Sequence, residues 1–585
     1  MSLPALAAVA LVTLVTIALG ARGMRVARTP ADFLVAARQV PPLVNASAIS
    51  GEYLSAASFL GVAGLVYVNG VGALWYPVGY ATGYLVLLLL VAAPLRRFGA
   101  YTIPDFAEGR LGSRALRKIS TGFVLIIGWF YLLPQLKGAG ITLQVVVGSP
   151  YCVGVVVLGV VVTANIAAGG MKGITIVQAF QFWLKIVAIA VPALVLLAVA
   201  HTSTTSLDRP VGATFPVATT VSITEPIRFT VRHPVTVTAS GRLDGRAVAG
   251  PVVLAPGRHR VASGSRLRFP AGAAAPSAIG IDELNGSTWS MPFARTGSGA
   301  QHPLAATYGL ILATFLGTVG LPHILVRFYT NRDGRAARRT TAIVLCMVSA
   351  FYLFPVIFAV LGRLEAPGLY LTSDTDSVVL VLPKIAVAGA GGAVLAALVA
   401  AGAFAAFLST SSGLLVSVAG ALSHDLLGGS VRAFRWCAVA AGVLATLAGL
   451  RVAGFSLNLL VGWAFAIAAS TFCPLLVLGI WWRRLTRIGC ISGLLVGGLA
   501  SATAIVATML GAGQSGWAAV LLGLPAIWSV PTSFLVMIVV SLLTPGSLPD
   551  DVKGKMLVLH LPERLRGTGS RSWPTSPPTL ARDTG

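Results

Sequence analysis

NASAISGEYLSAASFLGVAG, residues 45–64, lies inside an apolar run long enough to cross a bilayer, yet small and polar residues crowd around Gly51. A carboxylate, Glu52, stands in the middle of it. Glycine weakens a helix, and in lipid the backbone groups freed at a weak point must find partners inside the protein. A carboxylate in the hydrocarbon region costs at least about 2.5 kcal/mol, so it is tolerated beside a cation, a proton or hydrogen-bond donors. The bland alternative is a protonated or amide-satisfied Glu that only packs two helices. The stretch predicts an interrupted helix with a functional site at the break.

A second interruption supports it. ATFLGTVGLPHILVRF, residues 313–328, carries Gly317, Gly320 and Pro322 within another apolar run. Counting such runs gives about thirteen spans: 4–20, 42–68, 72–95, 119–147, 150–168, 173–200, 304–326, 340–362, 387–423, 432–451, 457–481, 488–511 and 517–543. The breaks fall in spans 2 and 7, each the first of five consecutive spans. Span 2 is expected to run outward and span 7 inward, which is the arithmetic of an inverted repeat.

The composition agrees. Of 585 residues, 56% are hydrophobic and 10% charged, with a mean hydropathy of +0.86. A soluble chain of this length could not bury so much apolar surface. The net charge of +24 would suggest nucleic acid in a soluble protein. Here the basic residues occupy short loops, including Arg22, Arg25 and Arg28, Arg96 and Arg97, Arg114, Arg117 and Lys118, Arg327 to Arg339, and Arg483 to Arg487. Every second loop is basic, the positive-inside pattern, so no nucleic-acid partner is expected. It puts the N-terminus outside and the C-terminus in the cytoplasm of a multi-pass cell-membrane protein. Arg22 to Arg28 follow the first run, so it reads as a retained span rather than a signal peptide. Cys152, Cys346, Cys437, Cys473 and Cys490 have no paired spacing and read as core residues.

Residues 201–303 differ: they are polar and alternate like strands, with Gly241–Gly245 as a turn. A small β-rich insert on the outer face is expected, which leaves room there for a further partner. Its histidines, His201, His233, His259 and His302, read as surface residues before they read as a metal site. The organisation is then 1–29, a first span and cytoplasmic loop; 30–200, a first repeat; 201–303, the insert; 304–486, a second repeat; 487–545, two added spans; and 546–585, a cytoplasmic tail whose Pro, Ser and Gly content reads as disorder.

Of the 18 acidic residues, this assignment leaves only Glu52 within a span. Lys137, after Gln135 in span 4, and Lys185 in span 6 are the cations available to pair with Glu52 or with a substrate carboxylate. Span 9 carries Ser409, Thr410, Ser411 and Ser412 in succession. At 100° per residue they cannot all face one site. Hydroxyls and bare carbonyls suit a hard cation such as sodium, although hydroxyls also back-bond within helices.

These residues resemble the sodium:solute symporter family, and within it the bacterial cation/acetate branch. The resembling pieces are GEYLSAASFLG (51–61), GLPHILVRFYT (320–330), GWAFAIAAS (462–470) and SHDL (423–426). The resemblance implies an all-α polytopic fold of the five-plus-five, leucine-transporter type, with extra spans at both ends, working by alternating access. It implies a sodium site at the carbonyls of Ala46, Ile49 and Ala406 and the hydroxyls of Ser409 and Thr410. That hydroxyl pair favours sodium over a proton as coupling ion. Three departures stand out: Ala48 where the family has Asn or Asp, Gly173 after Gly169-Gly170-Met171-Lys172, and Gln178 in place of an acidic residue.

The expected function is symport of sodium with a small carboxylate such as acetate. Ser50, Gly51, Tyr53, Gln135 and Thr318 are the expected substrate contacts, and Glu52, Lys137 and Lys185 hold coupling or charge roles. The alternatives are a proton-coupled or sodium-coupled symporter of an amino acid or sugar, and a membrane solute sensor. No enzyme motif stands in a cytoplasmic segment.

Overall fold

The computed structural model describes residues 3–24, 38–202, 214–223, 226–278, 286–295, 300–372, 374–513 and 515–563. Arg25, Arg28 and the tail from 564 lie outside the described residues, as do the side chains of His201 and of 169–172.

Eleven helices among the described residues are long and apolar enough to cross a membrane, two fewer than the runs counted above. The differences have local causes. Span 5 is a shorter apolar helix, Tyr151–Ala167. The second part of span 2 and all of span 3 form one run, Ala57–Phe98, folded at a tight turn, Gly70–Leu74. The last span divides into Gly516–Gly523 and Ala526–Leu543. Spans 5 and 6 follow each other in a helical stretch, Tyr151–Thr202. Asn165 lies against Gly20 and Gln181 donates to Thr16 at 3.0 Å, so the two arms lie beside the same short piece of span 1.

Both expected interruptions are present. Span 7 is helical over Pro303–Gly320, extended at Leu321 (φ −72°, ψ 113°) and helical again over Pro322–Phe328. Proline drives the residue before it out of the helical region, and then suits the first turn of a new helix, where its missing N–H costs nothing. Span 2 is helical over Pro42–Tyr53 and leaves helical geometry at Leu54 (φ −74°, ψ 86°). It resumes through a π turn, Ala57–Gly61, and a helix, Val62–Asn69. The break falls three residues beyond Gly51, which itself stays helical.

The chain has two distinct ends. At one, Val40 bonds to the carbonyl of Thr330, Arg96 to those of Asn331 and Arg332, and Arg97 pairs with Glu563. This is the end of the basic loops. Span 2 starts there and span 7 finishes there, so the two broken helices run in opposite directions.

At the other end is a seven-stranded antiparallel sheet in the order β1-β6-β3-β5-β2-β7, with β4 paired to β3. The strands are β1 (Thr219–Ser222), β2 (Ile227–Val231), β3 (Val235–Leu243), β4 (Arg246–Leu254), β5 (Gly257–Val261), β6 (Arg266–Phe269) and β7 (Ser277–Ala278). Alternate residues such as Val237, Ala239, Leu267 and Phe269 are buried, as a period of two requires. The turn between β3 and β4 is Asp244-Gly245, both at positive φ, while Gly241 to Leu243 belong to β3. His259 is held by Asp244 at 2.7 Å and the Ala255 carbonyl at 2.8 Å, and His302 stacks on Trp517.

Candidate functional site

An α-helix that stops leaves carbonyls without their N–H donors four residues on. At the break in span 2 the carbonyl of Gly51 loses Ser55, and Lys185 Nζ donates to it and to the Leu54 carbonyl, the latter at 2.8 Å. On the other side of the break, the Ala56 N–H donates to Gln135 Oε1 at 2.8 Å. Lys185 and Gln135 thus supply the partners that lipid cannot.

Glu52 is 1% exposed and accepts from Arg327 Nε at 2.8 Å. Arg327 is fully buried, donates to Thr175 Oγ1 at 2.8 Å and to Gln178 Oε1, and its carbonyl accepts from Asn45 at 3.1 Å. Gln178 Nε2 in turn donates to the carbonyl of Ser409 at 2.8 Å. One network therefore joins the halves of spans 2 and 7 nearest the basic loops to spans 6 and 9. This corrects three expectations. Arg327 is no loop residue: it lies in the last turn of the short helix that follows the break in span 7. Lys185 holds carbonyls rather than the carboxylate. Lys137 points elsewhere, donating to the carbonyl of Phe455. Glu52 also has company, because span 9 continues through a π turn to Leu426 and carries a buried Asp425, paired with Arg117 at 2.8 Å.

Span 9 packs directly on the break. Thr410 Oγ1 donates to the Glu52 carbonyl at 2.6 Å. Ala46, Ile49, Ala406 and Ser409 are fully buried, and the Ser409 hydroxyl has no hydrogen-bond partner. A buried hydroxyl left unsatisfied costs about 1–3 kcal/mol, which a cation accepting its lone pair would recover. Ser411 is also unpaired, while Gly413 sits so near Glu52 that a Cβ there would lie 1.8 Å from Oε1. Gly413→Ala should therefore displace the carboxylate from Arg327, lowering the thermal midpoint of the purified protein by several degrees and its uptake severalfold.

Beside the break lies a closed pocket, too small in this structure to hold a water molecule, lined by Tyr53, Ser55, Ser58, Tyr80, Tyr131, Tyr352, Val461 and Phe465. Of the expected substrate contacts, Tyr53 lines it. Thr318 stands behind Tyr53, bonded to its hydroxyl at 2.8 Å, Ser50 faces Met347, Gly51 meets Lys185 and Gln135 caps the break. The hydroxyl of Tyr80 is buried without a partner, and Ser58 bonds Tyr352 at 2.9 Å. Tyr80 and Tyr352 carry no local sequence signal, being one tyrosine among many on apolar helices. Arg327 carried one: it lies five residues after Pro322, on a helix too short to reach the end of the membrane from a mid-span break.

Two relatives are described as uncharacterized symporters. One, from Bacillus subtilis (strain 168), is 28% identical over 527 residues, 87% of this chain and 88% of its own. The other, from Cupriavidus necator, is 28% identical over an alignment of 617 positions that covers 88% of each chain. Among solved structures, a Na+-coupled sialic acid symporter in a substrate-bound outward-open state superposes with a TM-score of 0.62. It covers 92% of this chain and 97% of that one, and at 12% identity the likeness establishes a shared fold. The description of the sodium:solute symporter family matches residues 33–243 and 294–497, well over half of the chain. This helical, multi-pass membrane protein, a sodium-coupled transporter of solute and not an enzyme, therefore belongs to the sodium:solute symporter family.

Proposed function

We propose that the chain takes up a small carboxylate, such as acetate or another short monocarboxylate, with sodium. The supporting observation is the chemistry of the pocket at the break in span 2. Hydroxyls dominate its polar lining, and hydroxyls donate to carboxylate oxygens.

Charge points the same way. Arg327 offsets Glu52, leaving Lys185 as a formal positive charge at the break. Sodium adds a second. An anionic solute offsets the charge that sodium brings into a medium where uncompensated charge is costly. In this reading sodium lies between the carbonyls of Ala46, Ile49 and Ala406 and the hydroxyls of Ser409 and Thr410, tying span 2 to span 9. Residues 30–200 and 304–486 form the two inverted repeats of a five-plus-five core, consistent with the opposite directions of spans 2 and 7. The end carrying the basic loops faces the cytoplasm and the β-insert faces outward.

Labelled acetate offered to vesicles, with a sodium gradient and a pH gradient imposed separately, tests the proposal. Accumulation in excess of that in protein-free vesicles, into which neutral acetic acid diffuses under a pH gradient, should follow the sodium gradient and not the pH gradient. Protein-dependent acetate accumulation driven by pH alone, or no sodium-driven uptake of any short monocarboxylate, would overturn it.

A further inference from the structure

The β-insert returns to the membrane through residues 288–295, and these touch four spans at once. Trp289 Nε1 donates to the carbonyl of Tyr67, near the outer end of span 2, at 3.2 Å. The Trp289 carbonyl oxygen fills the space beside Gly70, where a Cβ would lie 1.9 Å away and where φ is +61°, a conformation that only glycine adopts without strain. Trp75, at the start of span 3, donates to the Pro292 carbonyl at 2.8 Å and stacks on Phe293 with ring centres 5.8 Å apart. Arg295 donates to Thr307 Oγ1, near the start of span 7, at 3.1 Å. From span 8, the guanidinium of Arg363 lies 5.0 Å over the Trp289 ring.

These contacts meet an evident need. The helical piece beyond the break in span 2 runs through the π turn Ala57–Gly61 into Val62–Asn69 and is separated from the inner half by the non-helical backbone at Leu54. A piece of that length takes its position from tertiary packing. Tyr67 is held from two sides, with its carbonyl accepting from both Trp289 and the Tyr370 hydroxyl, the latter at 2.8 Å.

We propose that residues 288–295 are a clasp that fastens the outer ends of spans 2, 3, 7 and 8 into one body, with Trp289 positioning the outer half of span 2 during transport. The functional part rests on the transport reading above; the mechanical part does not. The insert thereby acts on the transport core through its return segment.

Hydrogen exchange on the full chain in lipid nanodiscs reads the mechanical part without any solute. Trp289→Ala should speed exchange about tenfold over 62–75, equivalent to about 1.4 kcal/mol on local opening. It should do the same over 303–310, which Trp289 does not touch, while the inner half at 42–53 is unchanged. Gly70→Ala, which pushes on the clasp from the opposite side, should reproduce the pattern, and Trp289→Phe, which keeps the ring, should largely restore protection. Faster exchange confined to residues in contact with the substituted side chain, or no change anywhere, would overturn the clasp. In sodium-driven acetate uptake, Trp289→Ala should lower the maximal rate severalfold at unchanged half-saturating sodium. An unchanged rate would remove the positioning role. Absence of acetate uptake by the unsubstituted protein would count against the proposed substrate, and the exchange pattern would still decide the clasp.

Discussion

Arg327→Gln should abolish sodium-driven uptake and destabilise the purified protein by about 3–5 kcal/mol, the usual cost of leaving one member of a buried ion pair alone. Glu52 is 1% exposed and receives Arg327 Nε at 2.8 Å. Removing the guanidinium leaves a carboxylate in a medium that disfavours charge, and also strips Thr175 and Gln178 of their donor. Glu52→Gln should do comparable damage from the other side. The double substitution Glu52→Gln with Arg327→Gln removes both charges, so most of the lost stability should return. Transport should not, since the network that links spans 2, 6, 7 and 9 would have lost its central charge. Thermal unfolding and initial uptake rates, measured on the same preparations, separate the two effects. Near-normal stability and uptake in Arg327→Gln would mean that the pair does not organise the site.

Ser409→Ala should raise half-saturating sodium by about ten- to a hundredfold, corresponding to about 1.4–2.8 kcal/mol of lost ligation. It should leave stability in the absence of sodium unchanged or slightly improved. The Ser409 hydroxyl is buried and unpaired, so its removal deletes an unsatisfied group rather than a bond. Thr410→Ala should differ: its hydroxyl donates to the Glu52 carbonyl at 2.6 Å, so it should cost both sodium affinity and about 1 kcal/mol of stability. Thr410→Ser keeps the oxygen and should restore most of both. Uptake measured against sodium concentration checks these expectations. An unchanged sodium dependence in both alanine variants would exclude the two hydroxyls as ligands.

The contrast between these two sites shows what a linear reading can find. The hydroxyl run of span 9 stood out because four such residues together in an apolar helix are conspicuous. Glu52 stood out for the same reason. Arg327 did not, because it follows an apolar run and continues into Arg332 to Arg339, so it read as the first residue of a basic loop. Only the interruption at Leu321 shortens the second half of span 7 enough to keep Arg327 buried. Likewise Lys137 and Lys185 looked equivalent, each a lysine within a span. The break lies beside one, and the carbonyl of Phe455 beside the other.

By itself, the sequence determined that the chain lives in a membrane and where its two helices give way. Both follow from properties that act over a few neighbouring residues: apolar length against bilayer thickness, and the backbone preferences of glycine and of a residue preceding proline. The tertiary structure alone decided which groups satisfy the broken backbone, which cation faces Glu52 and which tyrosines enclose the cavity. Those partners stand up to 358 positions apart, and an ion pair or hydrogen bond depends on distance in space, to which order along the chain is blind.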